Sequence, residues 1–95
     1  MRKITDNAIY AFLNDRKFNG SNTLVSINSS GTILKLHGNL IAIKKDGKLW
    51  ITNAGWFSNT TKERLNGLPN VHIKQIKGLW YLNGNFWDGK LIAIE

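Results

Sequence analysis

Residues 23–53 read TLVSINSSGTILKLHGNLIAIKKDGKLWITN, and the parsing of this stretch decides the fold. Four short runs alternate apolar with polar residues: TLVSIN (23–28), TILKLH (32–37), LIAIKK (40–45) and KLWITN (48–53). Ser30-Gly31, Gly38-Asn39 and Asp46-Gly47 punctuate them. Gly, Asn and Asp tolerate the positive φ that two-residue hairpin turns require, so the spacing predicts a four-stranded antiparallel meander.

Downstream the pattern recurs in shorter runs, VHIKQI (71–76), LWYL (79–82), NFW (85–87) and KLIAI (90–94). Lys77-Gly78, Asn83-Gly84 and Asp88-Gly89 separate them and predict a second four-stranded meander. LIAI occurs in both halves, at 40–43 and 91–94. Four-residue apolar matches arise easily, so the repeat reads as shared strand vocabulary and not as a duplicated unit.

A short helix precedes each meander. In the first, Thr5 or Asp6 is placed to cap, and Ile9, Phe12 and Leu13 fall at i, i+3 and i+4 as one buried stripe. In the second, Thr60 and Glu63 have the spacing of a capping box. Leu65 and Leu68 supply its buried contact, Gly67 stands where a left-handed C-terminal cap belongs, and Pro69 ends the helix. Residues 60–66 then join two sheets. The expected fold is a single α+β domain over residues 1–95, ordered α-ββββ-α-ββββ, which can close on one barrel-like core. That order is similar in architecture to Pur-type and Whirly-type single-strand binders.

With 42% apolar and 11% aromatic residues, the 95-residue chain has the composition of one globular domain. No apolar run approaches the ~20 residues that cross a bilayer. The basic N-terminus lacks the apolar core of a signal peptide. Without cysteine there is neither disulfide nor thiolate metal site, and cytosol is the expected compartment. Thirteen Lys and Arg face six acids, for a net charge of +7. The excess is spread through the domain, with +3 over residues 35–48 and +3 over 62–77. A field of this sign attracts polyanions, although it also serves solubility.

Catalysis is not expected. Asp6 and Asp15 belong to the ends of the first helix, Asp46 and Asp88 to turns, Glu63 to a cap and Glu95 to the terminus. No carboxylate pair is left for acid–base work. His37 and His72 alone cannot complete a zinc site, and no phosphate-loop spacing or nucleophile elbow occurs. Metal and cofactor are therefore not expected.

Binding remains. Alternation places Lys48, Trp50 and Thr52 on the strand face opposite Leu49 and Ile51. Lys35, Lys44, Lys45 and Lys48 surround Trp50 in this reading, as single-stranded nucleic acid requires: bases stack and amines meet phosphates. Lys62 and Arg64 add cations near the second helix. Trp80, Trp87 and Trp56 read as core, whereas Trp50 stays open between core and a stacking role. The partner expected first is nucleic acid, single-stranded and with little sequence preference. An acidic host protein is the alternative, and the chain is read as a monomer or small homo-oligomer with no membrane partner.

The segments LHGNLIA (36–42), GWFSNTTKERLNGLPNV (55–71) and WYLNGNFWDG (80–89) together resemble a family of small tailed-bacteriophage proteins. The likeness covers roughly residues 34–94 and leaves the N-terminal helix outside. It implies phage origin and expression in the cytoplasm of a bacterial host, and it brings no catalytic residue with it. It also opens the second function, an effector that binds and inhibits a host or anti-phage defence protein.

Overall fold

A computed structural model describes residues 2–94, so that Met1 and Glu95 lie outside the account. Helix α1 (Lys3–Leu13) leads into strands β1 (Phe18–Gly20), β2 (Thr23–Asn28), β3 (Gly31–Leu36), β4 (Asn39–Lys45) and β5 (Lys48–Ile51). Helix α2 (Asn59–Asn66) follows, then β6 (Ile73–Ile76), β7 (Leu79–Leu82), β8 (Asn85–Phe86) and β9 (Ile92–Ile94). β2 to β5 form the expected antiparallel meander, but in a larger sheet of order β1-β2-β3-β4-β5-β9. β6, β7 and β8 make a separate three-stranded sheet. Since β1 and β9 are opposite edges of the larger sheet, there is no closed barrel. The six-plus-three division also departs from the paired four-stranded sheets of the architectural comparison.

The last strand changes sheets for local reasons. β8 has only two residues, too few to template a neighbour, and the next side chain, Trp87, turns into the core at 5% exposure. Its indole N–H then donates to the Lys90 carbonyl. Ahead of β9, the Gly89 carbonyl accepts from the Thr52 hydroxyl at 2.7 Å and from the Asn53 N–H at 3.0 Å. A Cβ on residue 89 would stand 2.2 Å from the Asn53 amide oxygen, so only glycine permits this approach. The chain is thereby delivered to the edge of β5, where Leu49, Trp50 and Ile51 face Ile94, Ala93 and Ile92.

Turn chemistry sets the register of the hairpins. Asp46 and Gly47 have φ of 53° and 76°, the two left-handed residues of a tight hairpin turn. Between β3 and β4 the left-handed pair is His37-Gly38, one residue before the expected Gly38-Asn39. Leu34 faces Ala42 but Lys35 faces Leu40, so Ile41 is an extra residue and β4 is bulged there. Ile41 and Ala42 are both buried, at 1% and 0% exposure.

One core joins the layers. From α1 come Ala8, Ile9, Ala11 and Phe12, which meet Val25, Leu34 and Leu36 of the large sheet. Thr5, Ala8, Ile9 and Phe12 form the buried stripe, at i, i+3, i+4 and i+7, and the expected Leu13 is exposed. Neither Thr5 nor Asp6 caps the helix, which begins after Arg2 without a side-chain cap. α2 presents Leu65, and Leu68 follows it, toward Val71, Ile73, Trp80 and Leu82 of the small-sheet side.

The cap of α2 is Ser58 and not Thr60: its hydroxyl accepts the Thr61 N–H at 3.1 Å. Glu63 is drawn elsewhere, as described below, so no capping box forms. Gly67 stays right-handed at φ −75°.

Candidate nucleic-acid interface

The large sheet has two unlike faces. Residues directly opposite across antiparallel strands point the same way, so the register assigns every side chain to a face. Val25, Leu34, Ala42 and Ile51 align on the core face. On the other, Ser26, Ile33, Ile43, Trp50 and Ala93 align as one row, and Leu24, Lys35 and Leu40 as the next. Lys45 and Lys48 are directly opposed at the end of the β4–β5 hairpin. Ile33 is buried at 7% exposure yet stands apart from the common core, as expected of a residue covered only by its neighbours on a second face.

This outer face therefore carries Trp50, half-buried, in an apolar row, with Lys35 two strands away in the row on one side and the Lys45/Lys48 pair at the hairpin end on the other. None of its strand positions described here is acidic. Two lysines placed directly opposite repel one another. Neither makes an ion pair with a described residue. An anion between them would relieve the repulsion.

The remaining three expected contacts lie elsewhere. Lys44 is one residue out of phase with Lys45 and points to the opposite face, where it faces Thr32. Its amine donates to the Leu13 carbonyl at 2.9 Å, pairs with Asp15 at 3.0 Å and lies 5.4 Å from the Phe12 ring centre. It satisfies the C-terminal end of α1, where a cation is favoured. The Thr32 hydroxyl, donating to Asp15, and the Lys44 amine hold that carboxyl below its usual pKa. Lys62, on α2, donates to the Gln75 side chain at 3.0 Å, toward the small sheet.

Arg64 is a core residue, 1% exposed. It shares the buried stripe of Thr61, Leu65 and Leu68, at i, i+3, i+4 and i+7. Its guanidinium donates to the Thr5 hydroxyl, to Glu63 at 2.6 Å and to the Thr23 hydroxyl at 3.1 Å, joining α1, α2 and β2. Glu63 also accepts from Arg2 and from Thr5, each at 2.8 Å. Burial alone would raise the Glu63 pKa; the Thr5 hydroxyl and Arg2 guanidinium outweigh it and bring the value to about 2. Burial, followed by the charge of Arg2, lowers the pKa of Arg64, against the pull of Glu63.

Of the tryptophans, Trp80 and Trp87 are core, but Trp56 is 60% exposed. Ala54 and Gly55, both left-handed, and the bond from the Trp56 N–H to the Asn53 carbonyl make a turn that throws the indole outward. Phe57 instead packs edge-on against Trp80, with ring centres 5.2 Å apart.

Sequence reasoning missed a second open face. On the small sheet, Lys74, Tyr81 and Phe86 align across the strands, flanked by Ile76 and Leu79. The period-two spacing of His72, Lys74 and Ile76 was the available signal. Among the described residues no three His, Cys, Asp or Glu side chains lie close enough together to hold a metal ion.

A family model of the Kyanoviridae Gp96 protein matches residues 1–92. It takes in α1, which the resemblance read from the sequence had left outside. Neither the curated proteins nor the solved structures contain a match. On the strength of a match over nearly its whole length, the chain belongs to the Kyanoviridae Gp96 protein family, a family of bacteriophage proteins.

Proposed function

We propose that this phage protein is a non-catalytic binder of single-stranded nucleic acid, acting in the host bacterial cytoplasm through the outer face of its large sheet. The observation that carries the reading is the register itself, which collects Lys35, Lys45, Lys48 and Trp50 on one outer face with no acidic strand position among the described residues. Trp50 offers a stacking surface, and each stacked base contributes ~1–3 kcal/mol by this mode. The amines meet phosphates without reading sequence, because they act as point charges and not as a planar fork. Fluorescence titration of an oligothymidylate tests this. Affinity is expected to fall steeply with salt through counterion release. No binding at ~50 mM salt would defeat the reading, since even non-specific contacts form there.

A second reading, capture of a host or anti-phage defence protein, draws on the small sheet. Ile76, Leu79 and Phe86 are 53%, 49% and 61% exposed on one face, with Lys74 among them. A contiguous exposed apolar patch of this kind marks protein interfaces. A stoichiometric complex that survives nuclease and is lost on Phe86→Asp would favour it.

A further inference from the structure

The β3–β4 turn and the segment leading into α2 enclose a half-open cavity of about 250 Å³, apart from both open sheet faces. Leu36 and Ile41, both buried, line it, and the exposed Trp56 indole forms a wall. His37, Asn39 and Thr60 supply polar atoms. The β4 bulge contributes directly, because the extra residue, Ile41, is one of the apolar walls. Two stretches twenty residues apart in sequence thus build one concavity.

Three properties define its occupant. The volume lies just below the ~300–1,000 Å³ of drug-sized sites, which suits one ring system. The aromatic wall favours a planar ring. The lining contains no Lys, Arg, Asp or Glu, so the polar atoms suit a neutral hydrogen-bonding edge and not a phosphate. Lys35 precedes Leu36 but points to the opposite face of the sheet, so a strand held on the outer face reaches the cavity by passing round the β3–β4 turn.

We infer that the cavity receives a single unstacked base of the bound strand, stacked on Trp56 and hydrogen-bonded at its edge by His37, Asn39 or Thr60. This rests on the nucleic-acid reading and gives it a second element: the sheet face holds the backbone and one stacked base, and the cavity holds a flipped one. Extruded bases are commonly read in this way, between an aromatic or apolar wall and hydrogen bonds to the edge.

The test is an NMR titration of the protein with uridine, adenosine and a ten-residue oligothymidylate. The nucleosides are expected to shift the Trp56 indole and the Asn39 and Thr60 amides. The oligonucleotide is expected to shift these together with Lys45, Lys48 and Trp50. Trp56→Ala should bind the oligonucleotide ~10-fold more weakly and melt like the parent, since the side chain is 60% exposed, and Trp56→Phe should restore most of the loss. Oligonucleotide shifts confined to the sheet face, with the cavity signals unmoved, would overturn the base site and leave the sheet reading standing. Shifts from N-acetyl-tyrosinamide where no nucleoside acts would overturn it in favour of a protein side chain. Absence of any oligonucleotide binding at low salt would defeat both readings.

Discussion

The junction of α1 with α2 and the outer end of the β4–β5 hairpin both concentrate positive charge, and they use it in opposite ways. At the junction Arg64 is enclosed by Thr5, Thr23 and Glu63, with Arg2 sharing the same carboxylate. At the hairpin Lys45 and Lys48 oppose one another with no ion pair to a described residue. The first arrangement spends its cation on holding two helices and a strand together. The second leaves an electrostatic repulsion in place, which adds nothing to stability and suits a surface that receives an anion. A net charge of +7 therefore overstates the binding face, and the useful cations are those with no ion-pair partner among the described residues.

The largest effect expected from this contrast is at Arg64. Arg64→Ala empties a fully enclosed core position and removes the donor that ties Thr5, Thr23 and Glu63 together, and truncating a large core side chain to alanine costs about 3–5 kcal/mol. In a domain of this size that lowers Tm by well over 10 °C. Denaturant and thermal melts measure it, and a loss under about 1 kcal/mol would mean that the residue behaves as an ordinary surface arginine.

A second effect concerns pH at the same junction. The folded pKa of Glu63, about 2, lies below its ordinary 4.5. The stabilisation from its ionised form is therefore complete above pH 4.5 and is lost as pH falls through 2. Melts between pH 6 and pH 2 should show this loss, and Glu63→Gln should flatten the profile. Were the variant to keep the full acid sensitivity, another carboxylate would carry it.

Adjacent lysines provide a smaller and sharper comparison. Lys44→Ala removes a cation and donor from the end of α1 and should cost ~1 kcal/mol, the scale of a cap or a favourable end charge. Lys45→Ala, one residue on and exposed, should stay within ~0.5 kcal/mol. Equal values for the two would erase the assignment of Lys44 to the scaffold.

Period and turn chemistry explain what was legible beforehand. Strict alternation and the Asp46-Gly47 turn place Lys48 and Trp50 on one face, and the structure agrees. The same alternation, applied strictly, separates Lys44 from Lys45, and the stripe through Leu65 and Leu68 places Arg64 with the buried residues. Both signals were present, but charge hid them. What lies beyond local pattern is the identity of distant partners: Thr5 and Thr23 are 59 and 41 residues from Arg64. The return of β9 to β5 likewise depends on Gly89 meeting Thr52 and Asn53, a contact that no hairpin rule specifies. Trp56 was misread because two successive left-handed residues reverse the direction expected of a large aromatic.

The central claim is that the lysines with no ion-pair partner among the described residues, and not the total charge, form the binding surface. Oligothymidylate affinity measured against salt for the parent and for Lys45→Glu with Lys48→Glu tests it most directly. The double variant is expected to melt like the parent, to bind at least ~10-fold more weakly at low salt, and to show a log–log salt slope shallower by about 2. Parental affinity and slope in a folded double variant would contradict it.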